Sequence, residues 1–365
     1  MDKQYTRSEQ LIIYLDSIDI PEKKIQELIN LVDDFGSLLT NFEMYKTKVS
    51  KILTDEQINQ ISTSSEKNLA LAINENLTKY NISAVTILSS NYPEKLKELN
   101  NPPVILYTKG DQNLLNEENV LAVVGTRKPS FYGKNIAEKF VEEFVSKNLL
   151  LVSGLAYGID SIVARVSVEK HKKTIAVLAG GLDKIYPPTN VNLANEIVKN
   201  GGLLVSKYHV GLPPLQYKFP ERNEIISAIS DGVLVIEAGN KSGSLITANF
   251  ALDQGKDLYI VPGNLNNPQC EGSNRLLYEM PHALVIEPKN ILEKFGLSSE
   301  SKQVKSYQPS FEEKIIIDAL SEGELDFDNI VEKTKMEAKK LNILLTTMEI
   351  SEIIKKCGPN SWTLF

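Results

Sequence analysis

Short apolar runs alternate with helical stretches through the middle of this chain. Strands that are buried on both faces of a parallel sheet are apolar throughout, and most of these runs have that character. The stretches between them have about 10–15 residues, which is the length of a helical crossover. The pattern predicts an α/β domain over residues 86–290, with an extended Rossmann-like, doubly wound and mostly parallel sheet. Its strands are expected at residues 104–107, 120–124, 149–152, 174–178, 203–205, 233–236, 258–261 and 283–286.

The two ends of the chain have a different pattern. Residues 1–85 predict a small helical domain, with helices at 9–15, 24–31 and 46–53. Residues 291–308 are polar and predict a linker. Residues 309–365 predict three helices and a hairpin, which is the outline of a winged helix. The helical patterns there are at 311–320, 326–334 and 338–348, and the hairpin runs are at 353–354 and 362–364.

Composition narrows the classes of function. The 365 residues are 42% hydrophobic and 24% charged, as in a soluble globular protein. No apolar run reaches the roughly 18 residues of a membrane span, so we expect no membrane association. Cys270 and Cys357 have no metal-ligand spacing, and the first ten residues have no secretion signal, which predicts a cytoplasmic protein. Because the net charge is −7, any nucleic-acid site must be local.

A glycine-rich turn, Gly-Thr-Arg-Lys-Pro-Ser at residues 125–130, follows the strand predicted at 120–124. Ligands of open α/β sheets bind outside the carboxyl ends of the strands, where such turns lead into helices. Glycine lets the backbone approach a phosphate, and Arg127 and Lys128 add positive charge. Gly125 and Gly133 are separated by seven residues rather than by the four of a P-loop. The alternative is an ordinary turn with two solvated cations.

Four further segments have residues suited to binding phosphates or bases. The first segment, residues 153–160, follows the strand at 149–152, and its Asp160 is expected to cap a helix. The second is the glycine pair Gly180-Gly181, which follows the strand at 174–178. The third segment, residues 217–223, combines aromatic and cationic residues, which suits the stacking of unpaired bases, although Phe219 could instead belong to the core. The fourth, residues 242–247, places small residues at the start of a helix, where an anion could bind. With the first turn they give the candidate DNA- or phosphate-binding set Gly125, Thr126, Arg127, Lys128, Ser153, Gly154, Gly158, Gly180, Gly181, Lys184, Lys218, Phe219, Arg222, Asn223, Ser242, Gly243 and Ser244.

Signatures of catalysis do not accompany these turns. The three histidines, His171, His209 and His282, have no Cys or His partner at ligand spacing, and no G-x-S-x-G motif is present. We therefore expect no catalytic residue, no metal and no cofactor, and a binding function.

Taken together, these segments resemble the DprA/Smf family of DNA-processing proteins. The resemblance extends over residues 91–288 and rests on several motifs in one order. They include Tyr-Pro-Glu-Lys-Leu at 92–96, the 125–130 turn, Ser-Gly-Leu-Ala-Tyr-Gly-Ile-Asp at 153–160, Phe-Pro-Glu-Arg-Asn at 219–223, and Ser-Gly-Ser-Leu-Ile-Thr-Ala at 242–248.

This resemblance implies a homodimer that binds single-stranded DNA and loads the RecA recombinase during natural transformation. It implies a phosphate-binding role for Arg127, and DNA-binding roles for Lys218, Phe219 and Arg222. It also implies a SAM-like fold for the N-terminal helices and supports the C-terminal winged helix. Because residues 301–365 hold nine lysines and eleven acidic residues, we expect that segment to contact protein rather than DNA.

The chain departs from the family pattern at four places. Ala164 stands where histidine is usual, and Met280-Pro281 replaces Gly-Ala. Lys207 and Glu224 stand where Glu and Arg are usual, which predicts an ion pair of reversed polarity between them. Alternatively, the exchanges weaken or specialise DNA binding.

Two other functions are open at this point. Nucleotide-processing enzymes of the LOG type share the sheet architecture, but their P-G-G-x-G-T-x-x-E signature stops matching here after Gly263. A dimeric scaffold whose ligand site has decayed would suit the acidic charge.

Overall fold

The computed structural model describes residues 5–297, 309–321, 323–350, 353–358 and 360–364. They fall into two compact units, one on either side of residue 298. The first unit contains the N-terminal helices and the α/β sheet, and the second contains the C-terminal helices and a small sheet.

The first unit begins with a group of helices. Thr6 and Glu9 form a capping box that starts the first of them, and Thr54 and Gln57 form another at the fourth. The helices predicted at 9–15 and 24–31 fall within the first two, whereas the one predicted at 46–53 ends four residues early because Thr54 starts a new helix. The five helices are α1 Arg7–Ser17, α2 Glu22–Leu31, α3 Phe42–Val49, α4 Asp55–Ser62 and α5 Glu66–Asn76.

The sheet of the first unit has eight strands. They are β1 Ser83–Thr86, β2 Ile105–Gly110, β3 Val120–Gly125, β4 Leu150–Ser153, β5 Thr174–Val177, β6 Leu203–Ser206, β7 Gly232–Ile236 and β8 Asp257–Ile260. Their order is β1-β2-β6-β5-β4-β3-β7-β8. Six neighbouring strands are parallel to one another, namely β6, β5, β4, β3, β7 and β8. Strand β2 pairs antiparallel with β6, and β1 pairs antiparallel with β2. The predicted mostly parallel α/β fold is confirmed.

Two strand predictions fail at the ends of this sheet. Strand β1 was not predicted, and it crosses the boundary expected between residues 85 and 86. The strand expected at 283–286 does not form, because Pro281–Ala283 makes a 3-10 turn and only Leu284 bridges Ile260 of β8. Leu284 and Ile286 are exposed whereas Ala283 and Val285 are buried, so the apolar run there lies along the edge of the sheet.

Helices cover both faces of the sheet. Along β3, Leu121 and Val123 pack against one helical layer, and Ala122 and Val124 pack against the other. The first layer contains α7 Phe131–Ser146, α8 Ile159–Glu169 and α13 Pro288–Lys294, and the second contains α10 Lys218–Ala228 and α11 Gly243–Asp253. The remaining helices are α6 Glu94–Lys97, α9 Val191–Lys199 and α12 Glu271–Glu279.

The N-terminal helices share one apolar core with the sheet. Tyr107 of β2 is buried, and its hydroxyl donates a hydrogen bond of 2.6 Å to Asp16 of α1. The amide of Val104 donates to Glu22 of α2 at 2.9 Å. Residues 5–85 therefore pack on the β2–β6 end of the sheet as part of the same compact unit.

Lys207 belongs to this contact, and the ion pair predicted between Lys207 and Glu224 is wrong. The Lys207 ammonium lies 3.0 Å from Glu22 of α2 and 3.1 Å from Glu221 of α10. Glu221 also accepts a hydrogen bond from the hydroxyl of Tyr208 at 2.7 Å. The positive charge of Lys207 thus joins the N-terminal helices to α10. The sequence alone does not show which acidic residues lie near Lys207 in space.

The predicted linker at 291–308 is wrong over its first part. Helix α13 extends to Lys294, and Ile291 and Leu292 are buried against the sheet. Residues 298–308 lie outside the described part of the chain.

In its described residues, the second unit has three helices and a small antiparallel sheet. Trp362, Ile316 and Leu345 are among the buried residues of its core. The helices are α14 Phe311–Leu320, α15 Phe327–Thr334 and α16 Ala338–Ile350, and the strands are β9 Leu325–Asp326, β10 Ile354–Gly358 and β11 Ser361–Leu364, in the order β10-β11-β9. The order of helices and hairpin is the one expected from the sequence, with β9 in addition, and the winged-helix assignment stays a prediction.

Asp16 should make the stability of the first unit depend on pH. Burial raises its pKa to about 6 from 3.8, so the stabilisation from protonated Asp16 is present below about pH 4 and is lost as the pH rises through 6. We expect Asp16→Asn to raise the free energy of unfolding at pH 7.5 by about 1–2 kcal/mol, and to have little effect at pH 4. Denaturant unfolding at the two pH values measures this.

The matched control is Asp33→Asn, because Asp33 is exposed and pairs only loosely with Lys48. It should leave the pH profile unchanged. An Asp16→Asn variant that is less stable than the natural chain at pH 7.5 would show that Tyr107 holds Asp16 as an anion.

Candidate nucleic-acid interface

The turn after β3 lies at the switch point of the sheet. Strands β3 and β7 are neighbours, but the helices that follow them, α7 and α11, pack on opposite faces, which leaves a crevice at their carboxyl ends. Gly125 ends β3 against β7, and a Cβ atom there would lie 2.0 Å from the carbonyl oxygen of Ile236. Only glycine allows the two strands to approach so closely at this point.

Glu237, directly after β7, holds the 125–130 turn in place. Its buried carboxylate accepts hydrogen bonds from the backbone amide of Ser130 at 2.8 Å, from the Ser130 hydroxyl, and from Asn267 at 3.2 Å. Its carbonyl oxygen accepts from the amide of Thr126 at 2.7 Å. Glu237 adopts a left-handed φ of 51°, which is costly for a residue other than glycine and is typical of functional sites. Glu237 was not among the residues selected from the sequence, since a single acidic residue after a strand has no distinctive pattern.

A cationic groove, here called the rim groove, opens beside this turn. It has a volume of about 580 Å³ and lies between residues 125–128, the first turn of α10, and residues 239–244 at the start of α11. Four of its lining residues carry positive charge and one, Asp160, is acidic. The cations are Arg127, Lys128, Arg222 and Lys241. Ten of the predicted residues line it, namely Gly125, Thr126, Arg127, Lys128, Phe219, Arg222, Asn223, Ser242, Gly243 and Ser244.

Phe219 is half-buried at the inner wall of the rim groove rather than in the core. The guanidinium carbon of exposed Arg127 lies 5.0 Å from the centre of its ring, and that of Arg222 lies 5.8 Å away. Both distances are within the range of cation–π contacts. The ring also forms a T-shaped pair with Tyr186, with ring centres 6.1 Å apart. Aromatic and cationic groups are therefore interleaved here.

Arg222 forms the floor of the groove. Its guanidinium is buried and donates to the carbonyl oxygens of Val177, at 2.6 Å, and of Gly154. Burial lowers its pKa to about 10, so Arg222 keeps its charge at neutral pH. Its Nε also donates to Asn223 at 3.0 Å, so Arg222 places a fixed positive charge below the surface with three donor contacts already made within the protein.

Asp160 does not cap α8 as expected, because the cap position is Gly158. Its carboxylate accepts instead from the amides of Gly154, at 3.2 Å, and Ala156, at 3.4 Å. Burial raises the pKa of Asp160, and nearby Arg222 opposes this shift. The carboxyl group therefore shapes the turn after β4 and balances part of the charge of Arg222.

A narrow second pocket, here called the inner pocket, opens from the same place and shares Arg127, Phe219 and Arg222 with the rim groove. Of the predicted residues, Gly154, Gly180 and Lys184 line it. Tyr157 and Tyr186 also line it, and each is 43% exposed. Tyr157 lies within the 153–160 motif, but neither tyrosine was selected from the sequence. Lys241, which directly precedes the selected Ser242, was missed.

Four predicted residues do not line either concavity. The hydroxyl of buried Ser153 donates to Val123 at 2.7 Å, and the amide of Gly181 donates to Leu212 at 2.9 Å. The Lys218 side chain is buried, and its ammonium donates to the carbonyl oxygen of Pro213 at 3.0 Å while lying 4.5 Å from the ring centre of Tyr208. The expectation that Lys218 faces a ligand is wrong, since its position on α10 turns it toward the loop before the helix. Gly158 also lies outside both, at the back of the 125–130 turn.

Within the described ranges, no three or more His, Cys, Asp or Glu side chains are grouped closely enough to hold a metal ion. In the same residues, no helix is both long and apolar enough to cross a membrane.

Residues 83–296 match the family model described as DNA recombination-mediator protein A. This segment contains both concavities and the whole eight-stranded sheet. The chain belongs to this family.

Relatives in the family cover different shares of the chain. It is 40% identical to the DNA processing protein DprA of Bacillus subtilis over 203 residues, which are 56% of this chain and 68% of the relative. It is 41% identical to the protein Smf of Escherichia coli over 211 residues, 57% of this chain and 56% of the relative. Streptococcus pneumoniae DprA is 34% identical over 283 residues, 70% of this chain and 99% of the relative.

Two solved structures from the family are similar to this fold. The X-ray structure of S. pneumoniae DprA covers 80% of this chain and 99% of its own, with a TM-score of 0.60 and 30% identity. DprA of Helicobacter pylori covers 59% of this chain and 95% of its own, with a TM-score of 0.54 and 32% identity. The latter structure concerns the single-stranded DNA binding mode of the H. pylori protein.

The 125–130 turn crosses the start of α8 at Gly158, and the stability of the fold should depend on this glycine. Its φ of +79° and ψ of −125° suit only glycine, and a Cβ atom would lie 2.3 Å from the carbonyl oxygen of Thr126. We expect Gly158→Ala to cost about 3 kcal/mol or more of unfolding free energy, since backbone strain alone costs about 1–3 kcal/mol. Thermal unfolding measures the loss.

Gly255→Ala is the matched control. Gly255 also has a positive φ, of +65°, but a Cβ atom there meets nothing within 4 Å. It should cost only about 1–2 kcal/mol. Equal losses in the two variants would mean that the crossing of the two turns does not constrain Gly158.

Proposed function

We propose that this chain binds single-stranded DNA in the rim groove and the inner pocket, and acts in recombination without covalent chemistry. The observation that carries the proposal is the placement of exposed Arg127 over the ring of Phe219, at the mouth of a groove with four cations and one acidic residue. The family description and the DNA-binding mode described for H. pylori DprA support it.

The aromatic groups favour an unpaired strand over a duplex. Base stacking on a side chain needs a free base face, and it contributes about 1–3 kcal/mol per base. Phe219 lines both concavities, and Tyr157 and Tyr186 present exposed rings at the inner pocket. A duplex keeps its base faces stacked inside, so these rings would contribute little to holding one.

The groove also favours binding with little sequence preference. Its ligand-facing charge comes from Arg127, Lys128 and Lys241, which attract phosphates whatever the base. At its far side Ser242 caps α11, so that the exposed backbone of Gly243 lies at a helix N-terminus, where anions bind well. Because these charges are local, they act even though the whole chain is acidic.

Arg127→Ala should weaken binding to a single-stranded oligonucleotide. It removes one phosphate contact and the cation over Phe219, so we expect an affinity loss of roughly tenfold at about 50 mM salt and a log–log salt slope that is shallower by about 0.7. Fluorescence anisotropy titrations at several salt concentrations measure both. Thermal unfolding should be nearly unchanged, because Arg127 is exposed.

Lys172→Ala is the matched control. Lys172 lies two residues before β5 and so at the opposite edge of the sheet, where it donates to Asn148 at 2.7 Å. It should bind DNA like the natural chain. Unchanged binding by Arg127→Ala would move the site away from the rim groove, and no binding by the natural chain even at low salt would favour a scaffold. Release of base from nucleoside monophosphates would favour a nucleotide-processing enzyme.

We further propose that the bound strand is handed to the RecA recombinase, that the chain acts as a homodimer in the cytoplasm, and that the C-terminal unit contacts protein. The family's description as a recombination mediator supports the first part. The dimer, the location and the role of the C-terminal unit stay predictions from the resemblance and from the charge of residues 301–365.

RecA loading has its own measurement. On single-stranded DNA that is already coated with a single-strand-binding protein, addition of this chain should shorten the lag before RecA begins to hydrolyse ATP. Arg127→Ala should shorten it less, because a mediator must hold the strand. A lag that the natural chain leaves unchanged would rule out mediation while leaving DNA binding intact.

A further inference from the structure

A third concavity, here called the outer trough, lies on the other side of the 125–130 turn. It has a volume of about 620 Å³ and runs between the first turns of α7 and α8. Its floor includes Ile162 and Gly158, and its walls carry Lys134, Tyr157 and Arg165. None of the functions discussed above uses it.

Positive charge dominates the outer trough. Arg165 pairs with Glu138, the one acidic residue among those that line the trough, and also with Glu169 at 3.1 Å. Lys128 and Lys134 are exposed, and neither forms an ion pair with another residue in the described part of the chain. The trough therefore has unneutralised cations without a protein partner.

The outer trough is continuous with the DNA site. Arg127 and Lys128 line both the rim groove and the outer trough, and Tyr157 lines both the inner pocket and the outer trough. Gly158, in the floor of the outer trough, has no side chain that would narrow it. A chain of phosphates that leaves the rim groove can thus pass Arg127 and Lys128 into the outer trough and stay close to positive charge.

We propose that the outer trough binds the phosphodiester backbone of the nucleotides that continue beyond the rim groove. The proposal rests on the function proposed above and extends its binding site around the 125–130 turn. A nucleic acid is favoured over an acidic peptide because the trough joins a site whose rings suit bases. Two cations, Lys134 and Arg165, line the outer trough and not the rim groove. Arg165 is paired with Glu138 and Glu169, so Lys134, on α7, is the one to test.

The test compares two oligonucleotide lengths, since single-strand sites of this kind cover about 4–16 nucleotides. Lys134→Ala should bind an oligomer of about 6 nucleotides like the natural chain, and bind one of about 20 nucleotides several-fold more weakly. With the long oligomer its salt slope should be shallower by about 0.7, and Lys134→Arg should restore it. Lys172→Ala should bind both lengths normally.

Each outcome has a distinct meaning. If Lys134→Ala binds the long oligomer as tightly as the natural chain, the outer trough does not hold DNA, whereas a loss with both lengths would place Lys134 in the primary site. If the natural chain gains no affinity from the longer oligomer, the trough proposal also fails. Arg127→Ala should weaken both lengths, and its failure to do so would overturn the rim-groove proposal instead.

Discussion

The buried carboxylate of Glu237 and the close approach of β3 to β7 fix the turn that carries Arg127. Gly125 lets the two strands meet, and Glu237 then receives the amide and hydroxyl of Ser130 from the other side of the turn. A buried carboxylate is costly unless it is fully hydrogen-bonded, so this arrangement tolerates few alternatives. Arg127 can remain exposed at the tip of the turn because the backbone below it is held at both ends.

Electrostatics explains how an acidic protein can offer a site for a polyanion. The net charge of −7 describes the whole surface, whereas the rim groove and the outer trough gather cations within a short distance of one turn. Screening limits charge effects to about 10 Å at moderate salt, so local charge decides what binds. The buried guanidinium of Arg222 adds to this field from below, in a site where Asp160 offsets only part of it.

The N-terminal helices have a structural connection to the same site. Lys207 bridges Glu22 of α2 and Glu221 of α10, and Glu221 is the direct neighbour of Arg222. Lys207, which stands where Glu is usual in the family pattern, therefore lies at the contact between the N-terminal helices and α10. This exchange leaves the cations of the rim groove in place, so it affects the packing of the helices rather than the DNA-facing charge.

The sequence by itself determined the fold class, since unbroken apolar runs at regular spacing admit few arrangements other than a sheet covered on both faces. It also located the turns, because glycine and helix-capping residues act locally. Strand β1, the failed strand at 283–286 and the partners of Lys207 were decided only by tertiary structure, because each depends on what lies across space. The same is true within the site. In the sequence, Arg127 and Lys218 are both cations near predicted turns. In the structure, Arg127 is exposed over the ring of Phe219, whereas the Lys218 ammonium donates to the carbonyl oxygen of Pro213. Which way a side chain points is set by its neighbours in the fold, and a sequence pattern does not contain them.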